Sequence, residues 1–254
     1  MTALPTYDAD QLAGVLALLP DVDSVELKLT VPATNPRPMV RSLGIDTLDA
    51  VVRQVAFIDT PDLRLSEAGV VVRVRRTQHK PADTTVKLRP MLPADVPENL
   101  RALPGFKVEV DASPAGYTCS CSLTAEVHDS RAKELMAGER EVADVLSDEQ
   151  RDVLLGRLPD GVGLGDLRLL GPLSLLKVKF EPAGYPRRMV GELWFLPDGT
   201  RILELSAKST PAAAFQAAAE TKIFLAGHGV DLDAPQETKT RSALAALAAA
   251  LEKE

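Results

Sequence analysis

Two successive stretches of strict alternation, VVVRVRRT at 70–77 and TTVKLR at 84–89, constrain this chain more than any other feature. Neighbouring side chains of a strand point to opposite faces. Val70, Val72 and Val74 therefore share one face, with Arg73 and Arg75 on the other; Val86 and Leu88 oppose Lys87 and Arg89 in the same way. The preceding segment, VAFIDTPDLRLSEAG, predicts a strand, a short helix and a stop. Thr60 is placed to cap that helix, and Pro61 suits its first position, where no amide hydrogen is needed. Gly69 ends it, because glycine enters the left-handed conformation cheaply. Four cations thus line one surface of two neighbouring strands. A sheet does not need such a surface; a polyanion does.

The pattern recurs along the chain. In SVELKLTV, Val25, Leu27, Leu29 and Val31 oppose Ser24, Glu26, Lys28 and Thr30. Phe106, Val108 and Val110 oppose Lys107, Glu109 and Asp111, and Leu176, Val178 and Phe180 oppose Lys177, Lys179 and Glu181. Glu192 and Trp194 share a face of Val190–Leu196, as do Glu204, Ser206 and Lys208 of Arg201–Lys208. A half-exposed sheet accounts for one such strand, but solvent faces usually mix in Thr, Ser and Gln. A closed barrel accounts for all of them, its charged face turned inward on a hydrated tunnel and its aliphatic face covered by helices.

Helices are expected over 8–19, with Asp8 as cap, and over 131–158 with a break near Gly138, where Ser147 and Gln150 form a capping-box pattern. Two more are expected near 211–227 and 239–252. The glycine-rich segment 161–171 lacks the GxxxxGK[ST] spacing of a phosphate-cradling loop and reads as a connector. Pro114-Ala-Gly116 reads as a hairpin turn. The 254 residues are taken as one domain.

A net charge of −7 argues against a general nucleic-acid binder, so the local concentration of Arg and Lys is the more informative. No run approaches the roughly 18 apolar residues of a membrane span, and no basic stretch precedes an apolar one at the N-terminus. A cytoplasmic protein without membrane or nucleic-acid partners is expected. Cys119 and Cys121 read as free thiols, because bridging them at i and i+2 would strain the backbone. No motif specifies an oligomeric state.

Cations of this kind pair with phosphate oxygens through charge-assisted hydrogen bonds, arginine bidentately. Carboxylates among them are unfavourable toward a bare polyanion unless they hold Mg²⁺ or Mn²⁺, hard ions that share themselves between carboxylate and phosphate.

SVELK, FIDTPDLRLSEAGVVVRVRR, TTVKLR, VEVD and ILELSAK together resemble the CYTH family, the triphosphate tunnel metalloenzymes, over roughly residues 22–245. That family includes class IV adenylyl cyclases, thiamine triphosphatases and inorganic triphosphatases. The resemblance implies an α+β fold with an eight-stranded antiparallel tunnel, helices packed on its outside, and a triphosphate or polyphosphate bound with one or two divalent ions. It casts Arg73, Arg75, Lys87, Arg89, Lys177 and Lys179 as phosphate ligands, and Glu26, Glu109, Glu192 and Glu204 as metal ligands. Lys28 becomes the residue that orients an attacking water. Two positions depart from the family. Ser24 stands where its Glu-x-Glu-x-Lys signature opens, and Ser206 where a second late glutamate is common. The implied activity is metal-dependent hydrolysis of a small triphosphate. A triphosphate-binding module with little or no turnover is the alternative, and an adenylyl cyclase a third.

Overall fold

The computed structural model describes residues 9–32, 37–234, 236 and 238–251. Nine strands close into a barrel in the order β1-β5-β6-β4-β3-β2-β7-β8-β9. They are β1 (Ser24–Pro32), β2 (Val51–Asp59), β3 (Val70–Thr77), β4 (Lys80–Leu88), β5 (Phe106–Ser113), β6 (Gly116–Val127), β7 (Arg168–Phe180), β8 (Met189–Phe195) and β9 (Arg201–Ser209). The expected count of eight is therefore corrected to nine, and the purely antiparallel sheet to a mixed one. The two corrections are one fact: an odd number of strands cannot alternate direction around a closed ring. The parallel contact falls between β1 and β5, with Ser24 beside Glu109 and Glu26 beside Asp111.

The helices are α1 (Ala9–Leu18), α2 (Arg37–Ser42), α3 (Arg64–Glu67), α4 (Glu98–Arg101), α5 (Asp129–Met136), α6 (Asp148–Leu155), α7 (Ala214–Gly227) and α8 (Lys239–Leu251). Asp8, the expected cap of α1, lies outside the described residues. The aliphatic strand faces look outward, as the alternation predicts. Val25, Val72, Val74, Val86, Val108, Val110 and Leu123 pack under Leu65, Leu135 and Leu154 in the largest apolar cluster. A second cluster sets Leu29, Leu203 and Leu205 against Phe224 and Leu225 of α7. The outer face of β7 is less well covered, with Leu176 36% exposed.

Both halves of the expected 131–158 helix form, as α5 and α6, with Gly138 in the left-handed conformation between them. The capping box is present: Ser147 Oγ accepts from Gln150 N–H at 3.2 Å, and Gln150 Oε1 accepts from Ser147 N–H at 3.1 Å. The fully buried Gln150 also donates to Thr84 O and Leu123 O, which fixes α6 to β4 and β6.

Two local expectations are corrected. The helix after β2 does not start at Pro61; it is the single turn α3, and Asp59 is its principal acceptor. Asp59 takes the amides of Leu65 at 2.8 Å and Ser66 at 3.0 Å, while Thr60 Oγ1 takes that of Arg64 at 2.9 Å. A buried carboxylate with two oxygens satisfies more orphan amides than a single hydroxyl. The second correction concerns β7, which begins at Arg168, inside the glycine-rich stretch read as a connector. Its pairing with β2 slips between Val55 and Phe57, opposite Gly171 at φ +104°, as in a bulge built on a glycine.

Gly69 joins the start of β3 to the end of β4, at the opposite end of the pair from their hairpin. Its φ is +77°, its carbonyl accepts from Arg89 N–H at 2.7 Å, and a Cβ there would lie 2.3 Å from Arg89 O. Gly69→Ala should cost more than about 1 kcal/mol, since both the conformation and the close backbone approach forbid a side chain. A urea midpoint equal to that of the wild type would refute the assignment.

Candidate functional site

The inward face carries the charges. Lys28 on β1, Arg53 on β2, Arg73 and Arg75 on β3, Lys87 on β4 and Arg89 just beyond it occupy inward positions. Lys177 on β7 and Lys208 on β9 do so as well. Five of them, Lys28, Arg53, Lys87, Arg89 and Lys177, gather around two carboxylates. Asp111 on β5 holds Lys28 at 2.8 Å, Lys87 at 3.0 Å and Arg89 at 3.1 Å. Glu192 on β8 holds Arg53 and Lys177, each at 3.0 Å, and Lys239 from the first residue of α8.

The electrostatics follow this arrangement. Burial alone would raise the Asp111 carboxyl, but Lys28 and Lys87 outweigh it and hold the group well below the usual carboxylate range. Glu192 is lowered in the same way, burial being overcome by Lys239 and Lys177. Burial would lower Lys28, yet Asp111, Glu26 and Glu204 together keep it above its ordinary value. Lys87 goes the other way, because burial prevails over its one carboxylate partner.

Arg73 is the exception among these cations. Its one hydrogen bond runs from Nη2 to Thr85 Oγ1 at 3.4 Å, and its buried Nε has no partner. No carboxylate among the described residues forms an ion pair with it. Burial lowers its pKa to about 10, and the guanidinium of Arg75 adds to the effect. Arg75 itself is matched by Asp83, with Nη2 and Oδ2 2.9 Å apart. A charged guanidinium left short of acceptors on a tunnel wall is a place for an anion.

The four cations read as one surface are thus divided: Lys87 and Arg89 turn to Asp111, while Arg73 and Arg75 lie toward Asp83, Arg53 and Glu192. Lys177 joins the Glu192 group. Lys179, two residues further along the same face, is exposed and forms no ion pair among the described residues.

The four glutamates expected to hold a metal are spread out. Glu192 and Glu204 face one another across β8 and β9, with Lys239 bonded to both, at 2.5 Å from Glu204. Glu109 is taken by Lys208 at 2.5 Å and by Ser24 Oγ at 2.9 Å. Glu26 lies 3.2 Å from Lys28 and opposite Lys208, four residues along β9 from Glu204, or roughly 13 Å at strand spacing. Among the described residues no three carboxylate, imidazole or thiol groups gather as a metal site would gather them. Ammonium groups stand between the carboxylates, and the serines at 24 and 206 supply neutral oxygens, which are poor ligands for a hard divalent ion. This donor set does not fit Mg²⁺ or Mn²⁺.

Three participants escape sequence reasoning. Arg53 shares its strand face with Val55 and Phe57, which disguises it as an isolated cation on an apolar strand. Asp83 precedes the clear alternation of β4. Lys239 opens an Ala/Leu-rich helix, where no strand periodicity can flag it.

At one end the inward face turns apolar. Val55, Phe57, Leu173, Leu175, Trp194 and Ile202 meet Ala243, Leu244 and Leu247 of α8, and the rings of Phe57 and Trp194 stack at 6.5 Å. Gln236 ties the segment before α8 to β1, accepting from Thr30 N–H at 2.9 Å and donating to Thr30 O at 3.2 Å.

Among known proteins, no family model and no curated protein matches this chain. Solved structures do. A "putative adenylate cyclase" from Bacillus halodurans is 14% identical, with a TM-score of 0.60 over 87% of this chain and 97% of its own. A "putative adenylyl cyclase" from Hippeastrum, described as having a dominant triphosphatase activity, is 17% identical. Its TM-score is 0.59 over 85% of this chain and 92% of its own. At such identities the likeness establishes the fold alone, an α+β closed barrel with helices outside.

Proposed function

We propose that the barrel binds the triphosphate end of a small molecule, with Arg73 as the first cation it engages and Arg75, Lys87, Arg89 and Lys177 around it. The observation that carries this reading is the Arg73 guanidinium, which forms no ion pair with any carboxylate among the described residues and whose buried Nε has no partner, while Arg75, Lys87, Arg89 and Lys177 beside it each have one. A chain of linked phosphates would supply the missing acceptors and compete with Asp111 and Glu192 for the cations they now hold. A single phosphate offers too few oxygens to satisfy Arg73 and the cations of both groups at once.

Hydrolysis of the bound chain is a second reading, favoured by the triphosphatase activity described for the Hippeastrum protein and by the place of Lys28 among Glu26, Asp111 and Glu204. Lys28 is the candidate to position a water there. Incubation with tripolyphosphate, ATP and thiamine triphosphate, each with Mg²⁺, Mn²⁺ or EDTA, would separate the readings by released phosphate and cyclic AMP.

Binding itself is tested by thermal melting. Tripolyphosphate at 100 times its dissociation constant should add about 2.7 kcal/mol to the folded state. Orthophosphate should add far less. Equal and negligible shifts for both would remove the tunnel reading.

A further inference from the structure

The carboxylate pair Glu192 and Glu204 is where a divalent ion would be sought, and a lysine already stands there. Lys239 reaches both glutamates, and its ammonium lies 5.4 Å from the centre of the Trp194 ring. Its side chain is only 16% exposed. Nothing in this placement is incidental to a mobile tail. The clamp between Gln236 and Thr30 fixes the approach to α8, and Ala243, Leu244 and Leu247 anchor the helix on the inward apolar face. Burial would depress the ammonium, but Glu204 and Glu192 outweigh it and raise its pKa.

We propose that Lys239 is a tethered cation in the position of a metal ion, so that this tunnel takes a polyphosphate without one. The proposal rests on the reading that the barrel binds a triphosphate. The single ammonium takes the bridging place between the two carboxylates, and with Arg53 and Lys177, which also hold Glu192, it more than balances their charge as a divalent ion would. It differs in two respects: it cannot be removed by a chelator, and it occupies the space a divalent ion needs. Ser206, two residues from Glu204 on the same inward face, offers only a neutral oxygen, in keeping with a site that holds no doubly charged ion.

The test has two arms. In the first, Mn²⁺ is added to the protein without phosphate, and the emission of Trp194 is followed. This is the chain's single tryptophan, and its Nε1 lies 3.4 Å from Glu192 Oε2. A paramagnetic ion between the glutamates would quench it. Wild-type emission should not change; a saturable quench would overturn the proposal. In the second arm, tripolyphosphate binding is measured by calorimetry in EDTA. The wild type should bind there, and Lys239→Met should bind at least about tenfold more weakly, because Glu204 is then left without its cation and Glu192 with one fewer. Lys239→Arg should retain most of the affinity. Binding by the wild type only when Mn²⁺ is supplied, or Lys239→Met binding as the wild type does, would overturn the proposal. Should Lys239→Met fail to fold, the wild type decides alone: equal tripolyphosphate affinity in EDTA and in Mn²⁺ is the expected result, and tighter binding in Mn²⁺ overturns the proposal. Failure of tripolyphosphate to bind under any condition would fell the triphosphate reading, while the Trp194 arm would still decide whether Lys239 excludes the ion.

Discussion

Val72→Asp will unfold the protein, and Arg73→Ala, one residue away, will leave it folded and blind to triphosphate. Val72 is 1% exposed and lies in the apolar cluster under the helices, paired across the sheet with Ile58 and Val86. A carboxylate there has no cation or donor to meet, and unpaired burial of this kind costs at least about 4 kcal/mol. That is a large part of the 5–15 kcal/mol typical of a whole domain. Arg73 faces the other way. Its charge is already a cost to the barrel at every pH below about 10, since burial and Arg75 depress its pKa by more than the nearby Asp83 and Glu192 restore. Truncation should therefore leave the melting temperature unchanged or raise it. The same truncation removes charge-assisted bonds worth about 1.5–3 kcal/mol to a bound phosphate, or roughly ten- to a hundredfold in affinity. Urea denaturation followed by circular dichroism, beside tripolyphosphate calorimetry, measures both effects. A collapsed Arg73→Ala with a stable Val72→Asp would mean that the two faces have been assigned the wrong way round.

That contrast was legible in the sequence because alternation is a local signal. β1, β3, β4, β5 and the second half of β7 can be read from the spacing of their own aliphatic residues, and the inward placement of Arg73, Lys87 and Lys28 follows from it. What alternation cannot give is the partner. Asp111 could be counted among the charges but not seen as the centre of three cations, because Lys28 and Lys87 come from strands far away in the chain. The number of strands illustrates a different limit. The figure of eight comes with the resemblance, and the closed barrel has nine. At β7 the alternation was interrupted by Gly171 and Pro172, so the first half of a long strand passed for loop. Lys239 was beyond reach altogether, since its role depends on where a helix end is delivered and not on any pattern within it.

Asp111→Asn should have opposite effects on stability and on binding. The wild-type carboxylate, with its side chain 4% exposed, is the counter-ion of Lys28, Lys87 and Arg89. Its neutral replacement leaves three ammonium and guanidinium groups facing one another, and breaking a buried pair in this way costs about 3 kcal/mol or more. The empty barrel should lose stability accordingly. Its affinity for tripolyphosphate should rise, by about tenfold, because phosphate oxygens no longer compete with a carboxylate for those cations. Saturating tripolyphosphate should then bring the variant's melting temperature close to that of the loaded wild type. The pH dependence gives an independent check. A carboxyl whose pKa is depressed by folding contributes stability above its unfolded value, near 3.9, and loses it as the pH falls through the folded value. The deficit of Asp111→Asn relative to the wild type should therefore be constant from pH 7 to about pH 4. It should narrow only in stronger acid, where Asp111 itself takes up a proton. Weaker tripolyphosphate binding by Asp111→Asn would show that the carboxylate supports the ligand and does not stand in for it, and the three cations around it would have to be removed from the phosphate site.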